Sequence, residues 1–388
     1  MATTFFLQSE VQNPYKLYEK MLRENPVYWD NSNNHWAVYS YEGCKAILSS
    51  PFVQIPETNQ TNKIGLNEYA LSITSKLARL SNGVLHEIAR HSAMHLFDNM
   101  KAVAIGVIIE NLLDKENNKN ETDWVNSICK KLPVAVILKS FDFNEKDCDF
   151  ISGKIEQLIK IMLPNKTLGQ VEAVNEISKK IYTITERHLY ALNFYKSIIK
   201  TLSQKYNIAP DETASFCVIN LIGLFIQSYD AGRGILSNSL LQIINNPNLS
   251  KNNFTYSEFL QKSVIETLRF DPPIHNTKRV AVNGIALNDA KIKEGEAILI
   301  VLAAANRDSR KFSNPNTYNI ERANNSEHLT FGIGSHNCIA KYFSVSLATE
   351  ALSYLLERYK TIKLLEKNIQ YEPMVNARLP RNIYISLT

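Results

Sequence analysis

Paired cysteines are missing from this sequence. Its five cysteines, Cys44, Cys129, Cys148, Cys217 and Cys338, stand singly, with no CxxC spacing. That excludes a disulfide framework or structural zinc and fits a reducing compartment. Long apolar runs are missing too. The longest, around Phe216 to Ile226, is broken by Asn220 and falls well short of the roughly 20 residues a membrane span needs. No basic block occurs: 43 Lys+Arg are spread among 38 Asp+Glu for a net charge of +5, too diffuse to bind nucleic acid. The opening residues, MATTFFLQSEVQNPYKLYEK, lack a basic segment followed by an apolar stretch and a cleavage site, so a cytoplasmic chain without membrane contact is expected. With neither an internal repeat nor a low-complexity linker, residues 1–388 read as a single domain, with a monomer as the default.

What is present is mostly helix. From about residue 84 to 270 apolar residues recur three and four apart, as in AVAIGVIIENLLDK and ISGKIEQLIKIML. The stretch from Asp211 to Asn246 is helix-compatible throughout, about 50 Å of helix, with Gly232 and Gly234 predicting a loosened middle. Strand signals come early, in VYWD and HWAVYS, and late, in KRVAVNGIAL, EAILIVLA and NIYISL. Between Ser309 and Gly334 lies a long polar stretch with little periodicity, and so long a loop inside a compact domain usually has a function.

Beyond that loop, FGIGSHNCIAK sets Cys338 just ahead of a helical pattern in which Ile339, Tyr342, Phe343, Val345, Leu347, Leu352, Leu355 and Leu356 largely share one face. A thiol at a helix N-terminus is shifted towards thiolate, the form that binds metal or attacks, and Gly332 and Gly334 let the backbone turn tightly. Position alone leaves three uses open: an inert core thiol, a nucleophile with His336, or a ligand. The GxG is a poor dinucleotide fingerprint, lacking a third glycine and a preceding βαβ strand.

FGIGSHNC resembles the heme-binding loop of the cytochrome P-450 superfamily, FxxGxxxCxG. The resemblance continues in order along almost the whole chain, from NPYKLYEKMLRENPVYW to ARLPRNIYISL. ETLRF matches the family's ExxR pair as Glu266 and Arg269, and AAANRDSRKFSNPNTYNIER matches the segment that brings a second arginine, Arg322. The resemblance implies a mainly α fold with small β-sheets: a helix-rich domain, a smaller β-rich region, and heme b buried between the long central helix and the cysteine-loop helix. It makes Cys338 the axial iron ligand, with Phe331 and Gly332 beside it. Glu266, Arg269 and Arg322 become the network that holds the loop, although a solvated surface pair is the bland reading of ExxR. His86 and Arg90 in HEIAR, Arg279 and His336 match positions that contact the heme propionates. HEIARHSAMH imitates a zinc-protease HExxH without being one, since its fifth residue is Arg90; His91 and His95 read as a solvated or core pair.

The chain departs from the family where the distal acid and alcohol should stand. QSYDA aligns Gln227, Ser228, Tyr229, Asp230 and Ala231 with [AG]-G-x-[DE]-T, so the acid is present and the threonine is not. Ala231 cannot donate a hydroxyl proton or hold a water. Proton delivery then falls to substrate or ordered water, or peroxide replaces dioxygen, or the reaction ends without oxygen insertion. Ala340 replaces the family's glycine two residues after the cysteine, a tolerable change. Arg233 reads as a substrate-carboxylate contact, a partner of Asp230, or a structural salt bridge. By position, Tyr229, Ile274, His275, Asn276, Met374, Val375 and the segment before His86 are substrate contacts.

These readings imply an oxidoreductase acting on a small organic molecule, in specialised-metabolite biosynthesis, by hydroxylation. Electrons would come from a separate ferredoxin or flavodoxin with its reductase, drawn by Lys341, Arg310 and Lys311. Radical coupling of an aromatic substrate, peroxide-driven oxidation and a non-catalytic heme-binding recruitment module are the competing readings.

Overall fold

The structure, a computed structural model, describes residues 4–57, 63–115, 121–247 and 254–388. They form two compact units: one within Met1–Gln54, Ile105–Lys130 and Asp230–Thr388, the other within Ile55–Ala104 and Lys131–Tyr229.

The first unit is built on a five-stranded sheet in the order Val27–Asp30, His35–Val38, Ala297–Ile300, Thr277–Ala281, Val53–Gln54. His35–Val38 runs parallel to Ala297–Ile300, and the remaining pairs are antiparallel. The first two strands turn back through Asn34, in the left-handed region at φ 49°, a conformation asparagine tolerates better than most residues. One face of the sheet packs Val38, Ile298 and Ile300 with Ile47, Phe312 and Leu329. A three-stranded sheet joins Thr122–Asp123, Tyr384–Leu387 and Ile362–Leu364, and Ile285–Leu287 pairs with Ala290–Ile292. The helix Tyr256–Phe270, started by a Thr255/Glu258 capping box, packs against the helix Lys341–Arg358.

All five strand signals correspond to strands. Val53–Gln54, Thr122–Asp123, Ala290–Ile292 and Ile362–Leu364 were not signalled, because strands this short are created by their pairing partners rather than by their own alternation. The polar stretch from Ser309 to Gly334 contains only one short 3-10 turn before its final residue, at Asn325–Glu327.

The second unit is helical: Glu68–Lys76, Gly83–Asp98, Leu132–Ser140, Glu145–Leu158, Leu168–Ala191 and Tyr195–Tyr206. Leu168–Ala191 opens on a Thr167/Gln170 capping box and packs against Glu68–Lys76 and Glu145–Leu158; Gly83–Asp98 packs against Tyr195–Tyr206. His91 contacts Tyr206, and no metal-binding cluster forms among the described residues.

The long helix is Pro210–Asn245, 36 residues. It is long and apolar enough to cross a membrane, but 72% of its most apolar window is buried within the protein. The expected loosening at Gly232 and Gly234 does not break it. Gly234 answers instead to close packing: a Cβ there would lie 2.3 Å from Pro273 Cβ and 2.6 Å from Leu379 Cδ2.

Candidate active site

Four of the five cysteines are buried, and Cys338 alone is only half-buried. Burial raises the Cys44, Cys129 and Cys148 thiols and pushes Cys217 up to about 12, so these four are inert core groups. Cys338 sits two residues before Ala340, the N-cap of Lys341–Arg358, and its amide donates to the Phe331 carbonyl at 2.8 Å, closing the loop. Gly332 and Gly334 take φ +65° and +75°, which L side chains rarely adopt. A Cβ on Gly334 would also lie 2.7 Å from the Leu48 carbonyl oxygen, whereas one on Gly332 would meet nothing closer than 3.8 Å.

Behind the loop, Glu266 and Arg269 are both fully buried, not a surface pair. Arg269 forks onto the carboxylate, Nε at 2.9 Å and Nη2 at 2.7 Å, and Arg322 Nε approaches it at 3.5 Å. Two guanidiniums against one carboxylate leave an excess positive charge, which backbone carbonyls absorb. Arg269 donates to Asn306, Pro315 and Thr317. Arg322 donates to Ser313, Asn314 and Thr317. The aperiodic stretch therefore takes its path from two arginines rather than from any regular ladder.

Sequence reasoning left out the residue that joins this network to the cysteine loop. Asn306 is fully buried; its Oδ1 accepts from the Leu329 amide at 2.7 Å, and its Nδ2 donates to Thr330 Oγ1 at 2.8 Å. Thr330 in turn donates to the Leu268 carbonyl at 2.6 Å, on the ExxR helix. An asparagine in an AAAN run carries no periodic signal, so only its partners identify it. His328, also missed, is held neutral: burial first, then the Lys341 and Arg269 cations, push it down to about 3. Its ring lies 5.5 Å from that of the half-buried Phe331. His336, in the Gly334–His336 turn, is also half-buried.

Arg279, on Thr277–Ala281, is 5% exposed. It donates to the Lys278 carbonyl at 2.8 Å and to Thr277 Oγ1 at 3.3 Å, and no carboxylate pairs with it among the described residues. A buried guanidinium without a counter-ion is costly, so this position calls for an anionic group from a ligand. An acidic cofactor held beside a thiolate fits that demand, as a heme with its carboxylates would.

On the long helix, Arg233 is buried and bridges Asp230 at 2.9 Å and Glu372 at 3.3 Å, and Glu372 reaches Arg381 at 3.6 Å. Of the three roles open to Arg233 the structure shows the two ion pairs. Ala231 is exposed, with Gly232 to Leu241 buried after it. Glu372 belongs to the segment that zips against residues 273–276. His275 N donates to the Asn376 carbonyl at 2.9 Å, Ile274 bridges Ala377, and Asn276 Nδ2 donates to the Val375 carbonyl at 3.0 Å. Ile274, Asn276, Met374 and Val375 thus come together. His275 does not join them as a substrate contact: its ring is fully buried, with Nδ1 3.0 Å from Tyr18 Oη, and burial holds it well below the usual imidazole range. Its task is to dock the Pro14–Glu24 helix.

In the other unit, Gln227 Nε2 donates to the Gly223 carbonyl at 3.1 Å and Ser228 Oγ to the Phe225 carbonyl at 3.1 Å, so both spend protons on their own helix. Tyr229 is 3% exposed and its hydroxyl donates to Glu156, which turns it towards the Glu145–Leu158 helix rather than towards a ligand. His86 is 6% exposed and pairs with the Ala78 carbonyl at 2.8 Å; Arg90, one turn on, is half-buried. Of the three expected docking cations, Arg310 pairs with Asp308 at 2.8 Å and Lys311 with Glu327, which reduces the field they offer.

Comparison with known proteins agrees with this geometry. Residues 238–386 match the family model described as Cytochrome P-450. The biotin biosynthesis cytochrome P-450 of Bacillus subtilis is 24% identical over 379 residues, covering 95% of this chain and 94% of that protein. Pulcherriminic acid synthase of the same species is 21% identical over 393 residues, covering 96% and 95%. The solved structure of P450BioI with an acyl carrier protein bearing hexadec-9Z-enoic acid superposes at a TM-score of 0.80, with 22% identity, over 98% of this chain and 100% of that one, a likeness of fold. The helix-rich architecture, the motifs in order and these relatives make the chain similar, over almost its whole length, to cytochrome P-450 oxidoreductases.

Proposed function

We propose that the chain oxidises a small organic molecule by inserting one oxygen atom, with protons delivered by substrate or ordered water. The overall change is R–H + O₂ + 2e⁻ + 2H⁺ → R–OH + H₂O, the electrons coming from a separate ferredoxin or flavodoxin with its reductase. The observation that carries the reading is Cys338: the least buried of the five cysteines, on a loop pinned to the Glu266–Arg269–Arg322 network.

Heme b would be held by the Cys338 thiolate, with Arg279 and His336 towards its carboxylates and Phe331 and Gly332 beside the ligand. For His86 and Arg90 the same role rests on the sequence resemblance alone. Bound heme supplies the electron-rich iron centre that activates oxygen, the thiolate favouring O–O cleavage. The residues around it set proton supply. Asp230 is oriented by Arg233, Ala231 has no hydroxyl, and the Ser228 proton is committed to the Phe225 carbonyl, so a water or the substrate must complete the path. Ile274, Asn276, Met374 and Val375 would line the substrate side, apolar with one amide. A biosynthetic role follows the named roles of the relatives, in biotin and pulcherriminic acid formation.

The committed Asp230 and the missing alcohol also favour a second reading, oxidative coupling of an aromatic substrate or peroxide-driven oxidation, over ordinary dioxygen use. Reduced protein with carbon monoxide should give the red-shifted Soret band of thiolate heme, and Cys338→Ser should abolish it; a band that survives removes Cys338 as ligand. Ala231→Thr should raise product formed per electron consumed. An unchanged yield, with faster product formation from peroxide than from the electron donor, would replace the first reading by the second.

A further inference from the structure

Arg378 is buried, three residues beyond Val375, and its guanidinium is spent on a single distant segment. Nη1 donates to the Gln8 carbonyl at 3.3 Å and the Val11 carbonyl at 3.2 Å, and Nη2 donates to the Gln12 carbonyl at 2.9 Å. The Tyr371 ring covers the fork, with its centre 3.5 Å from the guanidinium carbon. Residues 8–12 precede the Pro14–Glu24 helix and belong to no helix or strand, so no regular ladder supplies donors to their carbonyls. A planar fork with several N–H groups meets that need, where a point charge would reach one carbonyl at a time.

Gln8 returns the contact. It is 1% exposed, and its backbone amide donates to the Met374 carbonyl at 2.9 Å. The Met374 amide is already given to the Glu372 carbonyl at 2.8 Å, so Met374 has one backbone group tied within its own turn and the other tied to residues 8–12. That turn is closed by the antiparallel pairing of Tyr371 with Pro380 and by the Glu372 amide on the Leu379 carbonyl at 2.9 Å. The same segment also reaches the strand beside it: Gln8 Nε2 donates to Tyr18 Oη at 3.4 Å, and that oxygen lies 3.0 Å from His275 Nδ1. Residues 8–12 thus back both stretches that carry the expected substrate contacts.

We propose that Arg378 is a positioning residue for the substrate side: it straps residues 8–12 to the turn between Tyr371 and Pro380, and through the Gln8 amide that strap fixes where Met374 and Val375 stand against a bound molecule. The proposal rests on the reading of Met374 and Val375 as substrate contacts. It explains why a buried arginine in this turn donates to the backbone of a segment more than 360 residues earlier in the chain.

The test uses heme-loaded, full-length protein with two probes, imidazole and 4-phenylimidazole, whose binding is read from the Soret shift. Both ligate heme iron through the same kind of nitrogen, and only the second carries a ring that reaches the substrate side. Arg378→Met should weaken 4-phenylimidazole roughly ten-fold, the scale of one lost apolar contact, and leave imidazole unchanged. Amide hydrogen exchange should speed up in peptides covering residues 5–12 and 371–378 of that variant. Met374→Ala should also change the ratio of the two affinities, and adding Arg378→Met to it should change the ratio little further. If Met374→Ala shifts the ratio while Arg378→Met leaves it as in the parent, or weakens both probes equally, the proposal is overturned, because Arg378 then serves stability alone. If Met374→Ala and Val375→Ala both leave the ratio unchanged, the reading of these residues as substrate contacts falls and the proposal with it, an outcome distinct from failure of the strap. Should Arg378→Met not fold, Arg378→Lys keeps the charge, loses the fork and carries the same comparison.

Discussion

Replacing Arg269 by methionine should damage this protein far more than replacing any exposed arginine, and a second change should partly undo the damage. Arg269 donates five hydrogen bonds, two to Glu266 and three to carbonyls of Asn306, Pro315 and Thr317. Methionine fills much of the volume and supplies none of them. Among the described residues Glu266 would keep only the Asn319 amide at 3.0 Å and the more distant Arg322. Removing one partner of a buried ion pair costs about 3–5 kcal/mol, against a total stability on the order of 5–15 kcal/mol. The comparison is Arg310→Met, whose side chain is 57% exposed in its pair with Asp308, where about 1 kcal/mol or less is expected. Adding Glu266→Gln to Arg269→Met removes the stranded charge, so the double variant should be more stable than Arg269→Met alone. Urea unfolding of the heme-loaded protein, followed by far-ultraviolet circular dichroism and by the carbon monoxide band, measures both. The reasoning is refuted if Arg269→Met falls within about 1 kcal/mol of Arg310→Met, or if Glu266→Gln makes the double variant worse.

The two loop glycines should separate. Gly332→Ala meets only the cost of a left-handed residue, about 1–2 kcal/mol, whereas Gly334→Ala adds a clash with the Leu48 carbonyl and about 1–3 kcal/mol more; thermal unfolding that ranks them the other way removes the packing argument. Acid should weaken the fold through His328. The folded chain leaves it unprotonated down to about pH 3, while an unfolded chain binds the proton below about 6.5. Its contribution is therefore complete above about pH 6.5 and lost as pH falls towards 3, at a limiting slope of about 1.4 kcal/mol per unit. His328→Gln should flatten the pH dependence of the urea midpoint between pH 4 and 6; an unchanged slope refutes the assignment.

The core elements were legible because their signals are local. Helical spacing marked Tyr256–Phe270 and Lys341–Arg358, β-branched alternation marked Thr277–Ala281 and Ala297–Ile300, and motif order named Cys338, Glu266, Arg269 and Arg322 before any distance was known. The partners of Asn306 and Asn220 were not legible from spacing. Each is a single amide in an apolar run, and its role lies in carbonyls and amides tens of residues or more away, which no spacing rule reports. His275 misled for the same reason: its place beside Ile274 and Asn276 suggested a ligand contact, but the direction of its side chain is set by Tyr15 and Tyr18 of a distant helix.

By itself the sequence determined the resemblance to the cytochrome P-450 family, the iron ligand that resemblance implies, and the absence of an alcohol at Ala231, because these depend on which side chains exist and in what order. Only the tertiary structure decided what those side chains are committed to: Asp230 to Arg233, Ser228 to its own helix, Arg279 to no acid among the described residues. Chemistry at such a site depends on which protons and charges remain uncommitted after folding, and that is settled by partners brought together across the chain.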